Sequence, residues 1–271
     1  MTPGQAEWRR QTIELDRPNV ARVYDYWLGG SHIYLADQDL GRAMVAVEPN
    51  TRAIARANRA FLARAVRFLA GAGISQFLDI GSGIPADGDV HEVAQRACPA
   101  ARVAYVDIDP VAVAARRAAL AGNARAVAVE GDLRDPKEIL AGERVGKLID
   151  FEQPVGLLLV AVLHFLADSD DPWGAVATLR DALPPGSYLA LSHATDESRP
   201  KVVHAAQRVF SRGWQGHGRA RSRAEILRFF DGFGLVDPGL VYVPQWRPDR
   251  PADVPADPSQ FWFLVGVGQK I

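Results

Sequence analysis

Between residues 76 and 133 the chain sets three short apolar runs in succession, each with a carboxylate at or near its C-terminal end. The first, Phe77-Leu78-Asp79-Ile80, runs into Gly81-Ser82-Gly83-Ile84-Pro85. The second, Val103-Ala104-Tyr105-Val106, ends on Asp107, and the third, Ala126-Val127-Ala128-Val129, leads into Glu130-Gly131-Asp132-Leu133. Apolar runs of this length alternating with helical stretches predict parallel strands joined by crossover helices. Open α/β sheets bind their ligands outside the C-terminal ends of such strands. The pattern therefore constrains the chain to an α/β, Rossmann-like sheet with carboxylates gathered on one rim.

Each rim residue suits one part of a ligand. Gly81 and Gly83 let the backbone turn sharply and approach a ligand with no Cβ in the way. Asp79, two residues before the first glycine, can face a ligand ammonium or hold the loop. Asp107 can accept both hydroxyls of a ribose, since an ionised carboxylate has two acceptor oxygens. Asp132, with the backbone of Leu133, is placed to read an adenine edge. Together they suit a nucleoside with an amino acid tail and point to S-adenosylmethionine.

Plainer roles compete at each position. Asp79-x-Gly81-x-Gly83 also suits an ordinary strand-to-helix turn, Asp132 an ordinary loop, and Asp109 a helix N-cap followed by Pro110 in the first helical position. The rival ligand is a nicotinamide or flavin dinucleotide, because Gly81-x-Gly83-x-x-Ala86 meets the loose dinucleotide fingerprint. Asp87-Gly88-Asp89 then sets two carboxylates in the turn with no nearby Lys or Arg. A pyrophosphate on the helix N-terminus would be repelled there, whereas S-adenosylmethionine carries a sulfonium and an ammonium but no phosphate.

Composition narrows the class further. At 271 residues the chain has room for one large α/β domain with additions. A net charge of −1 gives no global field toward nucleic acid or a membrane surface. Cys98 is the only cysteine, which excludes an internal disulfide and a cysteine-based zinc cluster, and no metal-ligand spacing is present, so no metal is expected. Met1–Arg10 lacks the apolar core of a signal peptide, and the longest apolar run, Val155–Leu163, is too short to span a bilayer. A cytoplasmic protein is expected.

Along the chain, residues 1–17 read as a loose polar arm and 18–73 as helical. Val20–Leu28 stops at Gly29-Gly30, Asp37–Val47 is halted at Pro49, and Thr51–Ala70 carries Ile54, Phe61, Leu62, Ala65 and Leu69 on one stripe. Its arginines read as a solvated face, with Arg59 able to turn inward. Residues 74–271 alternate strand and helix. The later strands are expected at Val155–Val162, Ser187–Ser192, Leu235–Val243 and Phe261–Gly268, with a capping box at Ser222-x-x-Glu225 opening a helix over Arg223–Phe230. The division is an N-terminal arm and helical cover, 1–73, and a ligand-binding domain, 74–271.

The chain resembles class I S-adenosylmethionine-dependent methyltransferases, and more closely the actinobacterial S-adenosyl methyltransferase family once catalogued as DUF574. The resemblance rests on Pro18-Asn19-Val20-Ala21-Arg22-Val23-Tyr24-Asp25-Tyr26-Trp27-Leu28-Gly29-Gly30, Asn58-Arg59-Ala60-Phe61-Leu62 and the glycine turn. It continues through His91-Glu92-Val93-Ala94, Tyr105-Val106-Asp107-Ile108-Asp109-Pro110, Leu163-His164-Phe165, Pro185–Leu189 with Ser192-His193, and Pro238–Val241. It implies a seven-stranded sheet in the order 3-2-1-4-5-7-6, the last strand antiparallel, beneath a helical cover. It further implies that Asp79, Gly81 and Gly83 hold the methionine end of the cofactor, Asp107 the ribose, and Asp132 with Leu133 the adenine, with Ser82 and Ile108 also among the cofactor-binding residues. Ala161 to His164 would pass beneath the methionine and face the acceptor, the Tyr24-Asp25-Tyr26 segment would form an aromatic lid closing on the sulfonium, and Gly30 would also bind the cofactor. The chain departs from the family pattern at Ser31-His32-Ile33-Tyr34 and at Ala86 and Asp89, positions expected to face the pocket.

Methyl transfer rests mainly on in-line positioning and exclusion of water; a general base helps only with a protic acceptor. His164 and His193, after the fourth and fifth strands, are the candidates, each with a structural histidine as the plain alternative. His32 and Tyr34 rank below them, and His91 reads as packing or capping. Tyr24, Tyr26, Trp27 and Tyr34 could offer ring faces to a sulfonium or simply pack. Trp214 with Arg208, Arg212, Arg219, Arg221 and Arg223 reads as a solvated basic segment, or a grip for an anionic acceptor. The expected function is methyl transfer to a small-molecule acceptor, the lack of an extended basic face arguing against nucleic acid. Use of the sulfonium in a non-methylating cyclisation or elimination, and a non-catalytic role, remain the alternatives.

Overall fold

The computed structural model describes residues 16–213 and 218–271, the side chains at 212 and 213 excepted. Most of the arm read over 1–17, Trp214 and the Arg212 side chain lie outside the described residues. Three helices lead: α1 (Val20–Leu28), α2 (Leu35–Val47) and α3 (Thr51–Gly71). The Asn19 side chain caps α1 by accepting from Ala21 N, and Gly29 ends it in the left-handed region at φ 89°, which glycine adopts without a Cβ penalty. Helix α2 begins at Leu35, ahead of the expected Asp37. The reason is that Asp37 serves as a junction: it accepts from Tyr34 N and Asn19 N, each at 2.8 Å, and pairs with Arg22 at 3.1 Å, fully buried. The apolar stripe of α3 is buried as its period predicts.

The sheet follows in alternation: β1 (Gln76–Ile80), α4 (Val90–Ala97), β2 (Arg102–Asp107), α5 (Pro110–Ala119), β3 (Ala126–Glu130), α6 (Pro136–Ala141), α7 (Glu143–Gly146) and β4 (Gly156–Val160). Then come α8 (Pro172–Asp181), β5 (Tyr188–Ala194), α9 (Pro200–Gly213), α10 (Arg223–Leu227), β6 (Phe233–Leu235), β7 (Val241–Tyr242) and β8 (Phe263–Lys270). Strand order is β3-β2-β1-β4-β5-β8-β6, with β7 pairing β8. β1 through β5 run parallel, Phe77 standing opposite Val103 on one side and Gly156 on the other. β8 is antiparallel to β5, β6 and β7. The expected order therefore holds, with one addition: the stretch read as a single strand over 235–243 is two. Pro238 offers no N–H to a ladder, and Gly239, at φ 82°, turns the chain by donating to Val236 O at 2.7 Å.

Side chains of the central strands divide by the two-residue period. Phe77, Val103 and Tyr105 pack with Phe61, Ala65 and Leu69 of α3 and with α4. Leu78, Ile80, Ala104, Val106 and Leu157 pack with Ile139, Val145, Val176 and Leu179 of α6 to α8. Both faces are covered, which is why these strands read as continuous apolar runs. Asp79 falls on the Phe77 face, toward α3. The sequence reading has no helix at 200–213, yet α9 packs there: Val203, Ala206 and Phe210 form its inner stripe, and Ala206 and Phe210 join Trp27 and Met44 in a satellite core. Arg199 reaches Glu48, buried at the end of α2, and so fastens α9 to the cover.

Candidate active site

The turn after β1 is held from three sides. Gly81 and Gly83 take φ values of 74° and 65°; the amides of Gly81 and Ser82 both donate to Val106 O, at 2.8 and 3.1 Å. Arg116 of α5, itself buried, donates to the carbonyls of Ser82 and Gly83 at 3.0 and 3.1 Å. Asp107, at the tip of β2, accepts from Gly83 N at 2.6 Å and from Asp109 N at 2.9 Å. Burial raises the Asp107 pKa, and these amides work against the rise. Asp109 caps α5 through Val111 N at 3.0 Å, the role its sequence context suggests.

Asp79 differs from Asp107 in accepting no hydrogen bond from the described residues. Burial pushes its carboxyl up to about 7, against the pull of Arg116 and Arg59. A carboxyl in that state is poised for a cation. Asp89, by contrast, turns away from the cavity and lies between Arg59, at 2.9 Å, and Arg116, at 2.7 Å. This corrects the charge reading of the turn: two arginines do stand beside its acidic run, delivered by α3 and α5, and they neutralise Asp89. The expectation that Ala86 and Asp89 face the pocket fails with it, since neither lines the cavity.

At the end of β4 the chain kinks. Ala161 takes φ 58°, a region costly for a residue with a Cβ, and its N–H donates to Ser192 Oγ at 2.8 Å. The next turn brings His164 into the cavity wall, where burial and the Arg221 charge lower its pKa to about 3. His193 stands elsewhere: it is fully buried outside the cavity, Nδ1 contacting Ala194 O at 2.7 Å and Nε2 contacting Arg221 Nη1 at 2.9 Å. Arginine only donates, so Nε2 accepts and Nδ1–H donates, which leaves no ring nitrogen to take a proton from a substrate. Arg221, wholly buried, also donates to Leu163 O and Leu166 O at 3.0 and 2.9 Å, fixing the loop that carries His164. Arg219 pairs with Asp168 and Glu225, and Arg223 with Glu197. Of the three, Arg221 is thus a buried structural tie, while Arg219 and Arg223 are ion-paired with 39% and 35% of their side chains exposed.

The helical cover contributes Tyr24 and Trp27 to the cavity, while Tyr26, His32, Tyr34 and Gly30 stay out of it. Tyr24 donates to Ala55 O at 2.9 Å and accepts from Asn58 Nδ2 at 3.1 Å. Tyr26 packs over Gly41 and under Arg52, and Tyr34 lies under Arg22. Gly30 gives room for the Asp25 carboxylate, which a Cβ would meet at 1.9 Å. His91 binds the Tyr105 hydroxyl through its amide and Nδ1, both at 2.8 Å, as packing requires. On the far rim Ile108 is 41% exposed, Leu133 is buried, and Asp132 pairs with Arg134 at 2.5 Å.

These groups border one cavity of about 390 Å³, lined by Tyr24, Asp79, Gly81, Ser82, Gly83, Asp107, Ile108, Asp132, Leu133, Ala161 and His164. Beyond the rim its wall is a chain of rings in successive contact: Tyr24–Trp27 at 6.2 Å, Trp27–Phe210 at 6.0 Å, Phe210–Phe165 at 6.2 Å, Phe165–His164 at 4.3 Å and His164–Phe263 at 5.4 Å between centroids. Phe165, Phe210 and Phe263 are absent from the sequence reading as site residues; the spacing of Val203, Ala206 and Phe210 is the signal that could have found α9. Among the described residues no group of three or more His, Cys, Asp or Glu is placed to hold a metal ion, and no helix is long and apolar enough to cross a membrane.

Such a cavity fits S-adenosylmethionine: an unpartnered buried carboxyl faces it, glycines open its floor, and an exposed isoleucine awaits a flat apolar ligand at its rim. The sheet order and the glycine turn after β1, roofed by helices, define the class I S-adenosylmethionine-dependent methyltransferase fold. Within that class the chain belongs to the S-adenosyl methyltransferase family, whose model matches residues 6–271. It is 39% identical to a DUF574 family protein from Streptomyces avermitilis, over 96% of this chain and 100% of that one, with a TM-score of 0.92. It is 41% identical to a candidate methyltransferase from Thermobifida fusca, over 96% and 98% of the two chains, with a TM-score of 0.89. No curated protein matches the chain. The protein is an S-adenosylmethionine-dependent methyltransferase.

Proposed function

We propose that the protein methylates a small, largely apolar acceptor held against the ring wall, in a cytoplasmic reaction. The observation carrying this is the continuity of one cavity from the carboxylate rim to the ring chain. In this reading Asp79 and the Gly81–Gly83 turn hold the methionine end of the cofactor, Asp107 the ribose, and Ile108 with Asp132 and Leu133 the adenine. Within the N-terminal part, 1–73, the helices α1 to α3 serve as the cover, and 74–271 as the binding domain. The bound cofactor supplies a methyl group on a sulfonium, already electrophilic. The protein's task is then alignment and exclusion of water, met by the cover, α9 and the rings between them. His164 is held neutral, so it orients an acceptor by accepting a hydrogen bond and does not store a proton near neutral pH. A net charge of −1 and the pairing of Arg219, Arg221 and Arg223 support a small acceptor over a nucleic acid.

Two measurements test this. Calorimetry on wild type and Asp107→Ala should show S-adenosylmethionine and S-adenosylhomocysteine binding wild type and weakening in the variant, with NAD binding neither. A screen of aromatic alcohols, aliphatic alcohols and oligonucleotides, read by S-adenosylhomocysteine release, should give turnover with the aromatic set. Turnover on oligonucleotides alone would sink the small-molecule reading.

A further inference from the structure

Helix α9 turns four residues to the cavity, Val203, Ala206, Gln207 and Phe210, the spacing of a single helical face. Three are apolar and the fourth is an amide. Gln207 is partly buried, and its side chain makes no hydrogen bond among the described residues. Trp27, Tyr24 and Thr51 of the cover also line the cavity, but their donors are spent within the protein. Trp27 Nε1 donates to Gly41 O at 3.2 Å, the Tyr24 hydroxyl to Ala55 O at 2.9 Å, and Thr51 Oγ1 to Glu48 O at 2.6 Å. Arg219 is paired with Asp168 and Glu225. The Gln207 amide also stands on a fixed element. Arg199 ties α9 to the buried Glu48, and Ala206 and Phe210 pack with Trp27 and Met44.

We propose that Gln207 is a specificity-determining residue for the acceptor, and that the acceptor is an aromatic ring bearing a planar amide-type edge. The inference rests on the reading that the cavity takes S-adenosylmethionine and an aromatic acceptor. A wholly apolar acceptor on this wall would strip water from the Gln207 amide and leave its donor and its acceptor unpaired. Pockets reject such ligands strongly. An edge with an N–H beside a carbonyl oxygen is the complement of a glutamine amide, since each gives one hydrogen bond and takes one. Two ring contacts, Phe210–Phe165 and Phe165–His164, separate α9 from His164. The amide edge therefore lies at the end of the acceptor away from the group that His164 orients, with the ring between them.

The test is calorimetry on the full chain saturated with S-adenosylhomocysteine, titrated with three phenols of one shape: para-hydroxybenzamide, para-hydroxybenzamidine and para-isopropenylphenol. Wild type should bind the benzamide at least about tenfold more tightly than either of the others, the scale of two neutral hydrogen bonds. Gln207→Leu should lose that preference. Gln207→Glu presents acceptors only and should invert the order of benzamide and benzamidine, because an amidinium presents donors only. A merely structural role for Gln207 would not invert it. No preference in wild type, its survival in Gln207→Leu, or no inversion in Gln207→Glu overturns the proposal, while binding of the phenols leaves the aromatic acceptor standing. Failure of all three phenols on the S-adenosylhomocysteine complex overturns the proposal and the aromatic acceptor together, and leaves the cofactor reading. Failure of S-adenosylhomocysteine itself to bind removes the cofactor reading as well. The wild-type comparison needs no variant to fold, and melting temperatures report the integrity of the two variants.

Discussion

A Cβ on Gly81 would stand 2.4 Å from Cγ2 of Val162, so the turn after β1 and the end of β4 are packed against each other with no space for one more carbon. Gly83 has the same hand of backbone, φ 65° against 74°, but open space at its Cβ position. The two glycines therefore separate strain from collision. Gly83→Ala should cost about 1–2 kcal/mol, the left-handed penalty alone. Gly81→Ala should cost more and displace the rim, and Val162→Ala should partly rescue it. Denaturant unfolding of the three variants and S-adenosylhomocysteine titration check this.

Cofactor affinity should depend on pH through Asp79. Its carboxyl titrates near 7 in the ligand-free protein, and only the ionised form attracts an ammonium. Affinity should fall up to about tenfold per pH unit below 7 and level off above it. Stability runs the other way. A folded-state pKa raised above the unfolded value gives stability that is full below about 4 and is lost as pH rises through 7. Asp79→Asn should therefore raise the melting temperature of the free protein, more at pH 8 than at pH 5, while weakening S-adenosylmethionine at both.

The two histidines should part company. His193→Ala removes a buried acceptor from Arg221 and should cost about 1–3 kcal/mol, with cofactor affinity unchanged. His164→Ala should leave S-adenosylhomocysteine affinity nearly intact and lower turnover of the acceptor. Since the His164 pKa is depressed to about 3, turnover in wild type should show no histidine limb between pH 6 and 7; the limb near 7 should vanish at saturating cofactor.

Asp37→Ala should loosen the cover. It removes the only carboxylate paired with buried Arg22 among the described residues and the acceptor for two helix-start amides. Breaking a buried pair by deleting one partner costs about 3–5 kcal/mol. Hydrogen exchange should show the loss concentrated in α1 and α2.

The strands and their carboxylates were legible because β1 to β3 are short, apolar and closed by glycine or Asp, a pattern read from neighbouring residues. Asn19, Gly29 and the Ser222–Glu225 box marked helix ends for the same reason, each acting within a few positions. The failures share the opposite property. Arg116 sits on a helix among other arginines, and nothing local tells that it is buried or that Asp89, 27 positions away, is its partner. His193 looked like His164 until Arg221, 28 positions on, took its Nε2. α9 was hidden by arginines that drew attention to a polar face, and its true mark was the three-residue apolar stripe. Pairings between distant charged groups decide these sites, and local periodicity does not encode them.

Among the described residues β6 and β7 hydrogen-bond as strands only to β8, and β8 separates them from β5. During synthesis, then, β1 to β5 can form their parallel sheet as they emerge from the ribosome, but its growing edge stays open until residues 263–270 arrive. Through that interval β5 presents an unpaired, apolar edge, the feature by which nascent chains adhere to one another. A ribosome stalled ahead of β8 would hold a chain with its ligand rim already built and its sheet still open to a stranger's strand.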